Sequence, residues 1–488
     1  MAERFYVRTF GCQMNEHDSE RIAQSLIADG LERTDDLEQA DVVVLNTCCI
    51  RENADTKLYG HLGHLKSLRD RKPGMQIAVG GCLAQLERDA LLARAPYIDA
   101  VFGTHNVGRA PELLRRARAG GTSVVEILEA PEHEDDAFAS ALPIRPDQAY
   151  AAWVTIQVGC DNSCAYCIVP QVRGPEQSRP FAALVDEIAQ LARRGTTEVT
   201  LLGQNVNSYG RDLAIAALAP GFSGDVAEWC GGAFAGASRR TRRPLFGDLL
   251  RAVGDIEGIR RVRFTSPHPK DLRPDVIAAM AETPAICNQL HLPLQSGSDA
   301  VLAAMHRGYT GARYLERLAA ARAAIDDLAV TTDLIVGFPG ESDADFDETL
   351  AVVAEAGFDG AFTFIFSPRP GTEAARATDR IVAREVIGRR FEALKTVVDH
   401  SALARNRARV GRVEEVVVEG PARRGAGLVA ARTRQHKLVH FAADRLEPGR
   451  YGTVEITGAG AHHLIGELRS LEEPPAPARR PSIPLAVG

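Results

Sequence analysis

Length, composition and charge set the first limits on this protein. The chain has 488 residues, 45% hydrophobic and 25% charged, which is ordinary for globular domains and predicts about three of them. Lysine and arginine number 57 against 64 aspartate and glutamate, a formal charge of −7, which argues against a protein that coats nucleic acid indiscriminately. No apolar run approaches the roughly 18 residues of a membrane helix, and the first residues lack the layout of a signal peptide. We therefore expect a cytoplasmic protein without a membrane partner.

The N-terminal part of the chain alternates short apolar runs with helical stretches. This rhythm, over residues 4–120, predicts an α/β domain built on a parallel sheet. Residues 121–148 follow, and most of them form an acidic stretch that contains prolines and shows no periodicity. Such a composition predicts a linker.

The central part, residues 149–381, resumes the alternation. Its six strand candidates are AAWVTIQVG, TEVTLLGQNV, VRFTS, NQLHLPL, AVTTDLIVGF and GAFTFIFSP. Six strands separated by helices predict a partial (β/α)6 barrel, since a full barrel needs eight units. Residues 211–245 are rich in alanine and glycine, and they predict a surface insertion.

The C-terminal part changes character after residue 383. Residues 384–468 begin with a helical stretch and continue with short strands separated by turn residues, which predicts a small antiparallel barrel. Residues 469–488 are rich in proline and predict a disordered tail. The predicted fold class of the whole chain is α/β with this all-β domain appended.

The clearest chemical signal is a Cys-x3-Cys-x2-Cys arrangement directly after a predicted strand. It consists of Cys160, Cys164 and Cys167. Three thiolates on one loop can hold three irons of a 4Fe-4S cluster and leave the fourth iron open, as a catalytic metal site requires. The alternatives are a zinc knuckle that lacks a ligand and three unrelated thiols.

A second set of cysteines appears once the strand ends are marked. Cys12, Cys48 and Cys82 each follow an apolar run directly. Because the carboxyl ends of parallel strands lie along one edge of a sheet, these thiols are expected to converge. Glycines beside them leave room for a bulky group. We interpret the set as ligands of a second cluster, with three buried structural cysteines as the alternative.

The other three cysteines do not complete either set. Cys49 follows Cys48 and is expected to point to the opposite face of its strand. Cys230 lies in the predicted insertion, and Cys287 lies near a strand start. We expect all three to be bystanders.

Several motifs along the chain resemble one enzyme family. They are TFGCQMNEHDSE, NTCCIREN, VGGC, GCDNSCAYCIVPQVRG, LLGQNVNSYG, RFTSPHPKDL, HLPLQSGSDAVL, MHRGYT, TDLIVGFPGE and FSPRPGT. The spacing in GCDNSCAYC is similar to that of radical S-adenosylmethionine enzymes. Taken in order, the motifs resemble the methylthiotransferases of that superfamily, in particular the tRNA branch that acts on dimethylallyladenosine. The resemblance covers residues 4–468 apart from the predicted insertion.

The resemblance implies a function. Two 4Fe-4S clusters and S-adenosylmethionine would be the cofactors, with the cluster at Cys160, Cys164 and Cys167 cleaving adenosylmethionine to a radical. The cluster at Cys12, Cys48 and Cys82 would carry or donate sulfur, which is inserted at C2 of the adenine and methylated. The product would be 2-methylthio-N6-(dimethylallyl)adenosine next to the anticodon, at tRNA position 37. No side chain is expected to act as general acid or base.

Other residues are implicated less directly. Gln204, Asn205 and Gly337 stand at strand ends where radical enzymes of this type contact adenosylmethionine. A polar pair that satisfies loop backbone, and a glycine that makes a turn, are the alternatives. All three are expected to bind the cofactor.

The C-terminal barrel resembles the TRAM domain, a small RNA-binding module. Residues 401–450 contain eleven lysines and arginines against five acidic residues, which favours contacts with phosphate. Within this stretch we expect Arg432, Arg434 and Lys437 to bind RNA and Phe441 to stack on a base.

The resemblance also implies partners and leaves alternatives open. The partners are tRNA that carries dimethylallyladenosine, an electron donor such as flavodoxin or ferredoxin, and iron–sulfur assembly or sulfur-supply proteins. A monomer is expected. Sibling enzymes act on threonylcarbamoyl-adenosine in tRNA or on an aspartate of a ribosomal protein. A non-catalytic iron–sulfur protein that binds RNA is the alternative from a different class.

Overall fold

The computed structural model describes most of the chain. The described residues are 2–11, 13–48, 52–128, 142–143, 149–219, 224–232, 243–425 and 427–472. Cys12, Cys49, most of the predicted linker and nearly all of the predicted tail lie outside them.

The N-terminal region is a six-stranded parallel sheet in the order β2-β1-β3-β4-β5-β6. Its strands are β1 (Arg4–Thr9), β2 (Glu32–Arg33), β3 (Val42–Thr47), β4 (Gln76–Gly81), β5 (Ala100–Phe102) and β6 (Val124–Glu126). Its helices are α1 (Gln13–Ala28), α2 (Glu52–Arg71), α3 (Cys82–Glu87), α4 (Asp89–Arg94) and α5 (Ala110–Gly120). Strands β3 and β4 are buried throughout, because helices cover both faces of a parallel sheet. The predicted parallel-sheet domain is confirmed, and its sheet continues beyond residue 120 to include β6.

The central region contains six parallel strands. They are β8 (Ala151–Thr155), β11 (Glu198–Leu202), β12 (Arg261–Phe264), β13 (Gln289–His291), β14 (Ala329–Val336) and β15 (Gly360–Ile365). A single bridge between Val262 and Ile286 connects β12 to the segment that leads into β13. Strand β7 (Leu142–Pro143), from within the predicted linker, pairs antiparallel with the outer edge of β8. The predicted partial barrel of six units is therefore confirmed.

The helices of the central region cover the outside of this barrel, except the first of them, which packs against the N-terminal region. In chain order they are α6 (Val169–Arg173), α7 (Phe181–Arg193), α8 (Arg211–Ala217), α9 (Val226–Cys230), α10 (Phe246–Gly254), α11 (Pro274–Glu282), α12 (Asp299–Ala304), α13 (Gly311–Ala324) and α14 (Asp343–Ala356). A short ribbon of β9 (Gln157–Val158) and β10 (Gln177–Ser178) follows β8.

Alternate residues of each barrel strand face the helices and the interior of the barrel. Val199, Val262 and Leu334 belong to the core that packs against the helices. Their neighbours along each strand, such as Thr200 and Asp333, point to the opposite face, which we call the lumen face.

The predicted insertion is partly a core element. Helices α8 and α9 lie within it, and Leu213, Ala214 and Cys230 are fully buried in the central core. Cys230 is thus a packing residue, as expected of a bystander. The expectation of a surface insertion is wrong for these described helices, because α9 packs against α7 and α8 packs against α9.

The C-terminal region is a closed five-stranded barrel in the order β16-β17-β18-β20-β19. Its strands are β16 (Val413–Pro421), β17 (Leu428–Thr433), β18 (Leu438–Ala442), β19 (Tyr451–Ala459) and β20 (Leu464–Leu471). Helix α15 (Arg384–Arg407) precedes it, and Leu394 and Val398 of this helix belong to the central core. The predicted small barrel is confirmed, and its leading helix packs with the central region.

Candidate functional site

The cysteine loop lies at the carboxyl end of the first barrel strand. Gly159 opens it with a φ of +79°, and an added Cβ there would collide with the carbonyl of Pro175, so only glycine fits. Cys160 donates its backbone N–H to Gly174 at 3.2 Å, and Cys167 donates to Cys164 at 3.0 Å. These bonds fold the loop so that its three thiols stay close to one strand end.

The thiols of this loop are suited to a metal cluster. None of the seven described cysteines forms a disulfide. Burial raises the pKa of Cys167 to about 12 and also raises that of Cys160, so protons stay on these thiols unless a cation takes their place. No three His, Cys, Asp or Glu side chains among the described residues gather closely enough to hold one metal ion. Thiolates that each bind a different iron of a cluster do not need to meet at a single point.

A buried arginine lies beside this loop. Arg307 places Nη1 3.3 Å from the Sγ of Cys164 and 3.4 Å from the hydroxyl of Tyr166. Its Nε donates to the hydroxyl of Tyr309 at 3.1 Å. Arg307 can therefore compensate negative charge on the loop thiols. Sequence reasoning did not single it out, although it stands within the MHRGYT motif.

Two cysteines of the second set follow adjacent strands of the N-terminal sheet. Because β3 lies between β1 and β4, the ends of these three strands are neighbours. A Cβ added to Gly11, at the end of β1, would lie 2.5 Å from the Cβ of Cys48, and one added to Gly81 would lie 2.5 Å from the carbonyl of Thr47. Cys48 and Cys82 are both buried. Cys12 lies outside the described residues, directly after Gly11.

One short segment connects the two cysteine sets. Helix α6 directly follows the cysteine loop, and Val172 packs into the N-terminal core while accepting a 2.5 Å bond from the hydroxyl of Thr104. The Nη2 of Arg173 lies 2.6 Å from Asp18 and 3.6 Å from the Sγ of Cys82. The chain therefore runs from one thiol set to the other within fourteen residues. No sequence signal indicated this role for Arg173.

The predicted adenosylmethionine residues occupy three different environments. The Gln204 amide oxygen accepts the N–H of Gly159, and its buried Nε2 finds no partner within the described part of the chain. Asn205 is buried and donates to Asp271 at 2.9 Å. Gly337 has a φ of +77° and donates its N–H to Glu341 at 2.9 Å. Only Gln204 thus combines a place beside the cysteine loop with a free donor, and cofactor binding by the three stays a prediction.

The residues expected to contact RNA have partners within the protein. Arg432 bonds to Glu419 at 2.9 Å, Arg434 donates to the carbonyl of Ile286 at 2.9 Å, and Lys437 pairs with Asp359 at 2.7 Å. Their contact with RNA stays a prediction.

The expectation that Phe441 stacks on a base is wrong. This ring is 1% exposed and belongs to the barrel core. The alternation along β18 directs it inward, where its strand position pairs with Val429.

Two buried arginines fix the C-terminal barrel to the lumen of the central one. Arg261 donates to the carbonyl of Arg432 at 2.9 Å. Arg263 donates to the carbonyls of Arg434 at 2.8 Å and Thr433 at 3.0 Å. Since both arginines lie on the lumen face of β12, the end of β17 covers this part of the lumen.

Comparisons with known proteins agree with this architecture. Residues 4–103 match the model of the uncharacterized protein family UPF0004, and residues 154–353 match that of the Radical SAM superfamily. A tRNA-2-methylthio-N(6)-dimethylallyladenosine synthase from Acidothermus cellulolyticus is 52% identical, over 95% of this chain and 87% of its own. An enzyme of the same name from Salinispora arenicola is 49% identical, over 97% and 90% respectively.

The chain belongs to this family of tRNA-2-methylthio-N(6)-dimethylallyladenosine synthases. It is accordingly a radical S-adenosylmethionine enzyme of the transferase class, and that superfamily supports an iron–sulfur cluster and S-adenosylmethionine as cofactors. In fold it is similar to the radical S-adenosylmethionine methyltransferase TsrM from Kitasatospora setae, with a TM-score of 0.50 at 13% identity over 77% of both chains. No helix in the described ranges is long and apolar enough to cross a bilayer.

Proposed function

We propose that this enzyme converts N6-(dimethylallyl)adenosine, next to the anticodon at tRNA position 37, to its 2-methylthio derivative. The observation that carries this proposal is the near-complete match to relatives that bear this name, at about 50% identity. The alternatives, threonylcarbamoyl-adenosine in tRNA and an aspartate of a ribosomal protein, have no such support. A radical is required because the aromatic C2–H of adenine has neither an acidic proton nor a leaving group.

The first thiol set is proposed to hold the cluster that acts on adenosylmethionine. Cys160, Cys164 and Cys167 provide three thiolates, which leave one iron open. When bound, a cluster of this kind supplies the electron that cleaves the sulfonium. Arg307 compensates charge on the thiolates, and Gln204 offers its free Nε2 to a polar group of the cofactor.

The second thiol set is proposed to hold a second 4Fe-4S cluster, the source of the inserted sulfur. The adjacency of the strand ends that precede Cys48 and Cys82 supports this assignment, and Gly11, the residue before Cys12 in the sequence, lies beside Cys48. Arg173 holds this edge of the sheet against the segment that leaves the first set.

Partners and location follow from the proposed reaction. The substrate is tRNA that already carries the dimethylallyl group. Flavodoxin or ferredoxin is the proposed electron donor, and iron–sulfur assembly or sulfur-supply proteins are proposed to restore the second cluster. We propose a cytoplasmic monomer.

The test is anaerobic incubation of cluster-reconstituted protein with adenosylmethionine, dithionite and tRNA bearing dimethylallyladenosine, followed by mass spectrometry of the nucleosides. The expected product is the methylthio nucleoside, with none from the Cys160→Ala variant. Cleavage of adenosylmethionine without this product, together with methylthiolation of threonylcarbamoyl-adenosine or of the ribosomal protein, would overturn the substrate assignment.

A further inference from the structure

The two halves of the barrel lumen differ in their exposure. On β8, β11 and β12 the lumen-facing side chains are buried, for example Trp153, Thr200 and Arg263. The carbonyls at the end of β17 accept hydrogen bonds from Arg263 and cover it. On β13, β14 and β15 the corresponding side chains remain accessible. Among the described residues, the lumen side chains are therefore more accessible along this second half, which we call the open wall.

Phe362 is the only aromatic residue among the exposed large apolar side chains of the described residues. It lies on β15, is 60% exposed and occupies the strand position opposite Asp333, whose side chain faces the lumen. The ring centroid of Phe362 is 6.2 Å from that of His291, which extends from β13 on the same face. The ring of Phe362 thus lies on the open wall, with the polar side chains of His291 and Asp333 beside it.

A cavity of about 220 Å³ adjoins this ring. Thr331 and Gly360 line it on the barrel side, and Arg432 and His463 line it from the C-terminal barrel. This space is large enough for several waters but smaller than the 300–1,000 Å³ usual for drug-sized ligands. It therefore suits one planar group with an attached anion rather than a duplex.

The row of lumen-facing residues leads from this cavity to the cysteine loop. Ile335 stands two residues after Asp333 on β14, and it packs against the same small core cluster as Tyr166 of the cysteine loop. A nucleic acid that enters along the open wall thus passes Phe362 on its way to the reacting centre.

We propose that Phe362 stacks on an unpaired base of the RNA substrate, a neighbour of the nucleotide that is modified. The inference rests on the proposed RNA substrate. An enzyme that acts on a base must have it out of its stack, and unstacked RNA bases are commonly held on aromatic side chains. Arg432 also lines the cavity, and it would have to exchange Glu419, with which it pairs, for the phosphate attached to such a base.

Strand β15 provides a matched control. Ile365 is 50% exposed, but three residues along a strand place it on the opposite face from Phe362. Both residues can be shortened without removing core packing, since both are largely exposed. Phe362→Ala and Ile365→Ala therefore differ mainly in which face of β15 loses an exposed side chain.

The experiment measures binding of a fluorescently labelled anticodon stem-loop, with and without the dimethylallyl group, to the full-length, cluster-reconstituted protein. Phe362→Ala is expected to weaken binding roughly 5- to 150-fold, which corresponds to about 1–3 kcal/mol for a base stacked on an aromatic ring. Phe362→Trp is expected to restore binding, and Ile365→Ala to leave it unchanged. The slope of affinity against salt should not change, because Phe362 carries no charge.

Three results would overturn the inference: unchanged binding by Phe362→Ala, an equal loss in Ile365→Ala, or a loss confined to RNA with the dimethylallyl group. The last result would indicate that Phe362 contacts the dimethylallyl group rather than a neighbouring base. Failure of the proposed function is distinguishable, because it appears in the unaltered protein as absence of methylthio product. In turnover, Phe362→Ala should raise KM and leave kcat nearly unchanged at saturating RNA.

Discussion

The two thiol sets are assembled by different means. The first is local, since Cys160, Cys164 and Cys167 share one loop. The second depends on tertiary structure, since Cys48 and Cys82 come together only because β3 and β4 are neighbours in the sheet. A local set can form as soon as its loop folds, whereas the second set requires the complete sheet.

The arginines beside the two thiol sets differ in how far their charge is compensated by other groups. Arg173 is paired with the carboxylate of Asp18 at 2.6 Å, so much of its charge is already compensated. Arg307 contacts a thiol, two phenol groups and a carbonyl, and its charge remains available to the thiolates.

The largest expected difference is between cysteine variants of the two sets. Cys160→Ala should abolish adenosylmethionine cleavage and therefore all product, because the first cluster loses a ligand. Cys82→Ala and Cys48→Ala should retain cleavage but yield no methylthio nucleoside. Chromatography of 5′-deoxyadenosine and mass spectrometry of nucleosides measure the two activities. If Cys82→Ala lost both while its first cluster was still assembled, this division of roles would be wrong.

The two arginines should also differ when neutralised. Arg173→Gln leaves the buried carboxylate of Asp18 without its cation, which typically costs about 3–5 kcal/mol. Arg307→Gln strands no carboxylate among the described residues, and lost hydrogen bonds cost about 1–3 kcal/mol. Thermal unfolding and hydrogen exchange of α6 measure the effect.

A second substitution tests that explanation. Adding Asp18→Asn to Arg173→Gln should recover part of the lost stability, because no buried charge then remains unpaired. A double variant as unstable as the sum of the two single variants would contradict it.

A smaller effect is expected from acid. Burial lowers the pKa of His17, on α1, to about 4, and that of His268, near the barrel mouth, to about 2. The unfolded chain takes up these protons near pH 6.5, so stability is complete above that value and falls as the pH drops. At pH 5 each histidine lowers the free energy of unfolding by about 2 kcal/mol. Below pH 4 His17 is protonated in the folded protein as well, so only His268 lowers the free energy of unfolding further.

Denaturant titrations at pH 7 and pH 5 measure this loss, with His17→Gln and His268→Gln as the variants that should lose less. Equal pH dependence in the variants and the unaltered protein would show that other groups are responsible.

The fold was predictable wherever its signal is periodic. Six strand candidates and the small β-barrel appear in the structure because alternation and turn residues are properties of local sequence. The cysteine spacing was likewise visible. The extent of the N-terminal sheet was misjudged because β6 is only three residues long, too short for a periodic signal.

The remaining features depend on contacts between distant segments. Arg173 and Arg307 lie 91 and 143 residues from the cysteines that they contact, and no local pattern reveals such a pair. On β17 and β18 the alternation shows which residues share a face but not what covers it. Arg432 and Arg434 therefore looked like a free basic surface, although the structure gives each a partner in the protein.

The attachment of the C-terminal barrel has a consequence for how the sequence can vary. Arg261 and Arg263 donate hydrogen bonds to main-chain carbonyls at residues 432–434, and every amino acid carries the same carbonyl. Substitutions at these three positions can therefore accumulate without detaching the domain, whereas Arg261 and Arg263 cannot be exchanged freely. Side chains that stay the same at residues 432–434 among relatives would be retained for contacts of their own, such as the bond from Arg434 to the carbonyl of Ile286.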